Sequence, residues 1–184
     1  MPKPDGVPGW LIDEMFNGLT ERWMNQQSIS LPTFLEKYNL HDSTWYGIWL
    51  MPGFHALAIL RWDTQHPISL YPDFFPPDIW QHEPILMFRL NILPYQIMTV
   101  TSGWEVSFRP IIKKAYSKVI SSEERANMLD IATTDKKLKE FVVEPELHHT
   151  IFESLFKDEI HLIHHPDVKI LCVDMMGNTL KVPL

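Results

Sequence analysis

The sequence predicts an α+β domain. A mostly antiparallel sheet is built from residues 44–109 and 159–182 and packed against helices at the N-terminus and across residues 110–156. Three features lead there. Residues 44–50 and 55–62 are aromatic, β-rich runs around Met51-Pro52-Gly53, where proline presets the first turn angle and glycine accepts a positive one at the second. Apolar residues recur at helical spacing before this pair and again from Pro110 onward. The C-terminal residues return to strand-like runs around Gly177-Asn178, a favoured hairpin turn.

Each element has a local reason. From Pro8, residues Ile12, Met15, Phe16, Leu19 and Trp23 share a helical face. Asp13 and Glu14 sit in the first turn, where acids meet the positive end of the helix dipole. This helix is expected to end near Gln26, and Ser30 and Pro32 open a short second one with Phe34, Leu35 and Tyr38 inward. Neither run of the hairpin alternates cleanly, which predicts a central strand pair buried on both faces. Gly47 marks a bulge or a close backbone approach. Ile68 to Tyr71 reads as a short edge strand, and the four prolines of residues 72–84 exclude both a helix interior and a central strand. Residues 85–90, 95–100 and 104–109 extend the sheet.

Pro110 then starts a helix with a stripe of Ile111, Ile112, Ala115, Tyr116, Val119 and Ile120. Ser121 and Glu124 form a capping box for a helix to about Ala132, and Thr134-Asp135 starts another that ends before Pro145. Leu147, Ile151, Phe152 and Leu155 predict a last helix from Pro145 to about Phe156. Strands at 159–164 and 168–173, parted by Pro166-Asp167, and a final strand from Thr179 to Val182 complete the order. No repeat or shift of composition divides the chain, so residues 1–184 read as a single domain.

A chain of 184 residues can bury a substantial core, to which seven Trp and ten Phe are the expected main contributors. The 23 acidic residues outnumber 16 basic ones, giving a formal charge of −7. That balance opposes non-specific binding to nucleic acid or anionic membranes, which takes a basic face, and it suits a basic protein partner. The single cysteine, Cys172, lies in the apolar run Ile170-Leu171-Cys172-Val173 and is expected to behave as a small buried apolar residue. No stretch approaches the apolar length of a membrane span, and Met1 to Pro8 lacks the apolar core of a signal peptide, so the expected location is the cytoplasm.

Nine histidines are the most chemically suggestive feature. On a strand, His161 and His165 point to one face, and with His148 they can approach a metal ion. This is the basis of an alternative reading as a small metal-dependent hydrolase. Their spacing matches no standard ligand set such as His-Glu-x-x-His, so half-buried histidines near a turn are expected instead. No metal, cofactor or catalytic residue is assigned, and neither a glycine-rich phosphate loop nor a Gly-x-Ser-x-Gly elbow is present. Arg89 within an apolar strand needs a partner or solvent, and Glu105 is the candidate partner. His41-Asp42, a pair that ligates metal in some phosphohydrolases, directly precedes a strand. It reads as a turn in which Asp42 and Ser43 bond nearby backbone.

The segment from Tyr38 to Trp62 has Leu40-His41-Asp42-Ser43 leading into an aromatic strand, a turn and a second apolar strand. It resembles the opening of small bacterial immunity-type proteins, the cognate inhibitors encoded beside secreted or contact-delivered toxins. The resemblance covers that segment alone and transfers no catalytic residue. It implies a non-enzymatic protein that binds and blocks a toxin domain. The acidic, aromatic loop with Asp73, Phe74, Phe75, Asp78 and Trp80 is then the expected contact, its rings acting as anchors and its carboxylates steering a basic partner. The same rings could instead pin the loop to the core. An adaptor subunit with no toxin involved is the remaining reading.

Overall fold

The computed structural model describes residues 23, 25–26, 28–51, 55–63, 84–92, 111–131, 135–143, 146–155 and 159–182. Among them the chain runs β1 (Ser28–Ser30), α1 (Leu31–Lys37), β2 (Thr44–Met51), β3 (His55–Arg61), β4 (Ile85–Asn91) and β5 (Ile112–Val119). It continues through α2 (Ser122–Ile131), α3 (Lys136–Val143), β6 (His148–Ser154), β7 (Glu159–His164), β8 (Asp167–Val173) and β9 (Thr179–Leu180). The α+β class and the antiparallel pairing are as predicted, but there are two sheets. The larger has the order β1-β8-β4-β3-β2, with β9 also on β8; the smaller is β5-β6-β7. The chain crosses between them in the short step from β7 to β8. The first helix before Trp23 and the strands expected at 68–71, 95–100 and 104–109 lie outside the described residues, as does Glu105, the proposed partner of Arg89.

The predicted hairpin forms, with Leu50 opposite Ala56 and Met51 opposite His55. The bulge at Gly47 is present, between Trp45 and Gly47. Gly47 has φ +150°, and a Cβ there would lie 3.1 Å from the Trp49 ring, so the close approach is by a side chain. The pair is not central: β3 lies inside the sheet, while β2 ends its strand order. In α1 a proline occupies the first turn, and the Tyr38 N–H closes the helix on the Phe34 carbonyl at 2.8 Å. The capping box of α2 is reciprocal, with Ser121 N–H donating to Glu124 Oε2 at 2.9 Å and Glu124 N–H to Ser121 Oγ at 3.2 Å. Asp135 starts α3 by accepting from the N–H groups of Lys137 and Leu138 through Oδ1. Around His41-Asp42 the chain does turn, Asp42 taking φ +64°. Ser43 Oγ, however, accepts from the distant Asp63 N–H rather than from a neighbour.

Two predicted helices are strands. Residues 112–119 form β5, where a bulge between Ile112 and Lys114 adds one residue and reverses the alternation. Ile112 and Ala115 therefore both join the main core, three residues apart, which imitates a helical stripe. Residues 148–154 form β6, the middle strand of the smaller sheet. Its apparent stripe mixes two faces and two flanks. Phe152 points inward and Ile151 outward, while Leu147 and Leu155 lie beyond the strand ends. The β-branched and aromatic content of His149 to Phe152 suits a middle strand, and pairing on both sides overrides the helical spacing.

The main core lies between the sheets and beneath α1. Phe34 touches Tyr38, Trp62 and Phe88 at ring-centre distances of 5.0, 6.0 and 5.4 Å. Trp45 of β2 meets Phe152 of β6 at 5.0 Å, carrying this core from one sheet to the other. The larger sheet also buries its second face, where Tyr46, Leu57, Ile59, Met87 and Leu171 pack with Trp23. A third cluster joins α3 (Phe141, Val142) to Ile120, Leu147 and Ile163. Cys172 is buried in the main core, and burial pushes its thiol pKa well up, as expected of an inert apolar cysteine.

Trp62 and Trp49 separate the two ways an aromatic residue serves this fold. Trp62 is fully buried and its indole N–H donates to the Asn39 carbonyl at 3.3 Å, whereas Trp49 is half-buried against the second core. Trp62→Ala is expected to cost about 4 kcal/mol and Trp49→Ala clearly less, below about 3 kcal/mol. Urea denaturation of both variants tests this; equal losses would show that Trp49 is as deeply used as Trp62.

Candidate functional site

The expected partner-binding residues Asp73, Phe74, Phe75, Asp78 and Trp80 lie outside the described residues. The histidines lie within them, and strand register decides where each one points. Partners across an antiparallel pair share a face. His148 is opposite His164, and His161 is opposite Ile151. Ile151 and His148 are three apart on one strand, so His148 and His161 lie on opposite faces of the smaller sheet. His165 falls past the end of β7, with its ring stacked on Phe141 at 4.2 Å. The set His148, His161 and His165 therefore faces three ways and does not converge. Among the described residues, no group of three or more His, Cys, Asp or Glu is placed to hold a metal ion.

The inward face holds a buried polar chain. The carbonyl of His165 accepts from His164 Nδ1–H at 2.5 Å, which fixes the tautomer. Nε2 of His164 is hydrogen-bonded to Thr150 Oγ1 at 2.7 Å. The hydroxyls of Thr150 and Ser117 are 2.9 Å apart, and Ser117 Oγ stands 3.5 Å from His148 Nδ1. His148 Nε2 is bonded to Glu146. Ser117, His148 and Glu146 thus stand in the order hydroxyl, imidazole, carboxylate. The hydroxyl, though, is already engaged with Thr150, which is fully buried, and the chain runs inward to His164. This network satisfies polar groups at the place where the two sheets meet. There Ile92 of the larger sheet bridges to His164, and His165 N–H donates to the Asn91 carbonyl.

The outward face is different. Lys114, Tyr116 and Lys118 from β5 stand beside Glu153, Ile151 and His149 from β6, and Glu159, His161 and Ile163 follow from β7. His149 Nε2 and His161 Nδ1 are 2.9 Å apart, and His161 Nε2 meets Glu159 Oε2 at 2.9 Å. Burial first, then the nearby His161 and Lys118, hold the pKa of His149 below the usual histidine value. Burial, with the Glu153 and Glu159 carboxylates adding to it, raises that of Tyr116. The sequence shows these residue types but not their meeting. Only the register of β6 on β7 brings His149 and His161 together.

A pH effect follows from the inward network. Burial lowers the His164 pKa from 6.5 to about 4, opposed by the bond to the His165 carbonyl and reinforced by neighbouring histidines. With the folded value below the unfolded one, the unfolded chain takes up the proton first as pH falls. The associated stability is complete above about pH 6.5 and is lost towards pH 4, by about 3 kcal/mol in total. His164→Gln is expected to be less stable than the parent at pH 7, with a gap that narrows by about that amount at pH 4. Urea titrations of both proteins across this range measure the gap, and a gap independent of pH would show that His164 does not titrate in this window.

Compared with known proteins, the chain matches no family model, no curated relative and no solved structure.

Proposed function

We propose that this chain is a non-catalytic, cytoplasmic, immunity-type inhibitor that binds a basic toxin domain. The observation that supports a binding role best is the tip of the β8–β9 hairpin. Met175 is 38 % and Met176 83 % exposed there. The turn beneath them is closed by two backbone bonds, Asp174 N–H to the Asn178 carbonyl at 2.9 Å and Gly177 N–H to the Asp174 carbonyl at 3.0 Å, and braced by the Asp174 carboxylate. Asp174 Oδ1 accepts from the N–H groups of Met176 and Asn178, both at 2.8 Å, and Oδ2 accepts from Asn178 Nδ2 at 2.7 Å. Two soft apolar side chains on a pre-ordered turn can enter a partner's pocket with little further loss of backbone freedom. Leu50, 58 % exposed near the end of the β2–β3 hairpin, adds a second apolar point. The formal charge of −7 favours a basic partner, and Asp73, Phe74, Phe75, Asp78 and Trp80 supply the acids and rings such a contact uses. No helix among the described residues is long and apolar enough to cross a membrane.

The test begins with the protein encoded beside this one in its genome, co-expressed and co-purified. Met176→Asp and Trp80→Ala are expected to weaken the complex through faster dissociation without lowering thermal stability. Asp73→Lys with Asp78→Lys should slow association and flatten its salt dependence, since exposed charges act over about 8–10 Å. Unchanged binding kinetics in all of these variants, or the lack of any complex with the neighbouring product, would sink the proposal.

A further inference from the structure

His149 and His161 lie diagonally across β6 and β7 on the solvent-facing side of the smaller sheet, with His149 Nε2 and His161 Nδ1 2.9 Å apart. The far nitrogen of His161, Nε2, meets Glu159 Oε2 at 2.9 Å. The carboxylate can only accept, so it fixes the His161 proton on Nε2 and leaves Nδ1 bare and aimed at His149. A carboxylate on the far nitrogen is the arrangement that orients metal-binding imidazoles and raises their basicity. His161 has a quarter of its side chain exposed and Glu159 rather more, so an ion can reach them from solvent.

The separation carries a preference. Two nitrogens bound at about 2.0–2.1 Å to one ion stand about 2.9 Å apart at a right angle, and about 3.3–3.4 Å apart at the tetrahedral angle. The observed 2.9 Å is that of a hydrogen bond between the rings and equals the right-angle spacing, so an ion needs the rings to turn until both lone pairs point to one side of the N–N line, with no movement of the strands. Right-angled nitrogen ligands belong to tetragonal ions, of which copper(II) is also the strongest binder among the divalent first-row metals. We propose that His149 and His161 form a two-imidazole site for a tetragonal divalent ion, copper(II) before nickel(II), with solvent completing the shell. His149 binds as the tautomer protonated at Nδ1. Its Nε2 proton moves there as the ion takes the space between the rings, and no net proton is released. Glu159 is a positioning residue that holds His161. Lys118, opposite His149, is the cation nearest in register, and Glu124 pairs with it at 3.5 Å. Among the described residues no three such ligands cluster, so the site is not a closed metal centre; two imidazoles leave it open to water.

The experiment uses the full chain without any affinity tag. Copper(II) is titrated in by calorimetry, and the one-equivalent sample is read by electron paramagnetic resonance. One tetragonal copper with two equatorial imidazole nitrogens is expected. His161→Ala and His149→Gln should each remove one nitrogen from that spectrum, Glu159→Gln should weaken binding by about 10–100-fold, and His165→Ala should change neither. Circular dichroism identifies any variant that fails to fold, and the two ligand substitutions on different strands serve as alternates. No one-to-one binding, or a first equivalent of copper whose spectrum in His161→Ala and in His149→Gln is unchanged from that of the parent, overturns the site.

Discussion

Everything in this fold depends on two sheets sharing one core while exchanging main-chain hydrogen bonds at their margins. At one margin Asp42 N–H donates to the Ile112 carbonyl and Ile112 N–H to the Ser43 carbonyl, both at 2.8 Å. At the other, His165 N–H donates to Asn91 and Ile92 bridges to His164. Between these margins the side chains of Trp45 and Phe152, and the cluster of Phe34, Tyr38, Trp62 and Phe88, fill the interior. A backbone exchange of this kind sets distance and angle more tightly than apolar packing alone, because hydrogen bonds are directional and an unpaired buried N–H is costly. It also accounts for Asp42 in the left-handed region. The chain must turn there to present Asp42 N–H and the Ser43 carbonyl to Ile112, and aspartate is among the residues that tolerate the turn.

The second margin explains why polar side chains are buried at all. β7 belongs to the smaller sheet and β8 to the larger, so residues 164–167 must leave one ladder and join another. A backbone that leaves a ladder has groups to satisfy. His164 supplies a donor to the carbonyl of its own neighbour, and it closes a chain through Thr150 and Ser117. Such a network holds only with the imidazole neutral, since a charge there would sit in the dry interior between the sheets. The fold therefore accepts a titratable group at its joint in exchange for a satisfied crossover.

Much of the architecture is legible in the sequence, and what is not has identifiable physical causes. The hairpin, the Gly47 bulge, and the capping box of Ser121 and Glu124 rest on local rules, and each is found; the C-terminal hairpin is found too, but its turn is centred on Met175-Met176, just ahead of the expected Gly177-Asn178. The strands at 112–119 and 148–154 were hidden because a bulge in β5 gives a strand the apolar spacing of a helix. In β6, both faces of a middle strand are buried, which blurs alternation. The division into two sheets is a matter of which strands pair, and no local signal encodes it. For the candidate site, the sequence shows a histidine-rich tail but groups it wrongly. His148, His161 and His165 are near in sequence yet split by face, whereas His149 and His161 are brought together by pairing across the β6–β7 turn.

The same alternation that buries His148 and His164 places His149 and His161, half-buried, on the outward face, so one strand register decides both the internal network and the external pair. A slip of one residue would exchange them, moving the half-buried His149 and His161 inward and a neutral buried imidazole out. The outward face is also nearly balanced in charge: Lys114 and Lys118 stand against Glu153 and Glu159. The excess of acid that gives the chain its −7 must therefore lie elsewhere. A basic partner steered by that excess would be drawn to a different surface from the one that holds the histidine pair. The Met175–Met176 turn follows β8, a strand of the larger sheet, and the pair belongs to the smaller one. A partner anchored at the methionines and an ion held at the histidines thus call on different sheets, and neither requires the other's site to be empty.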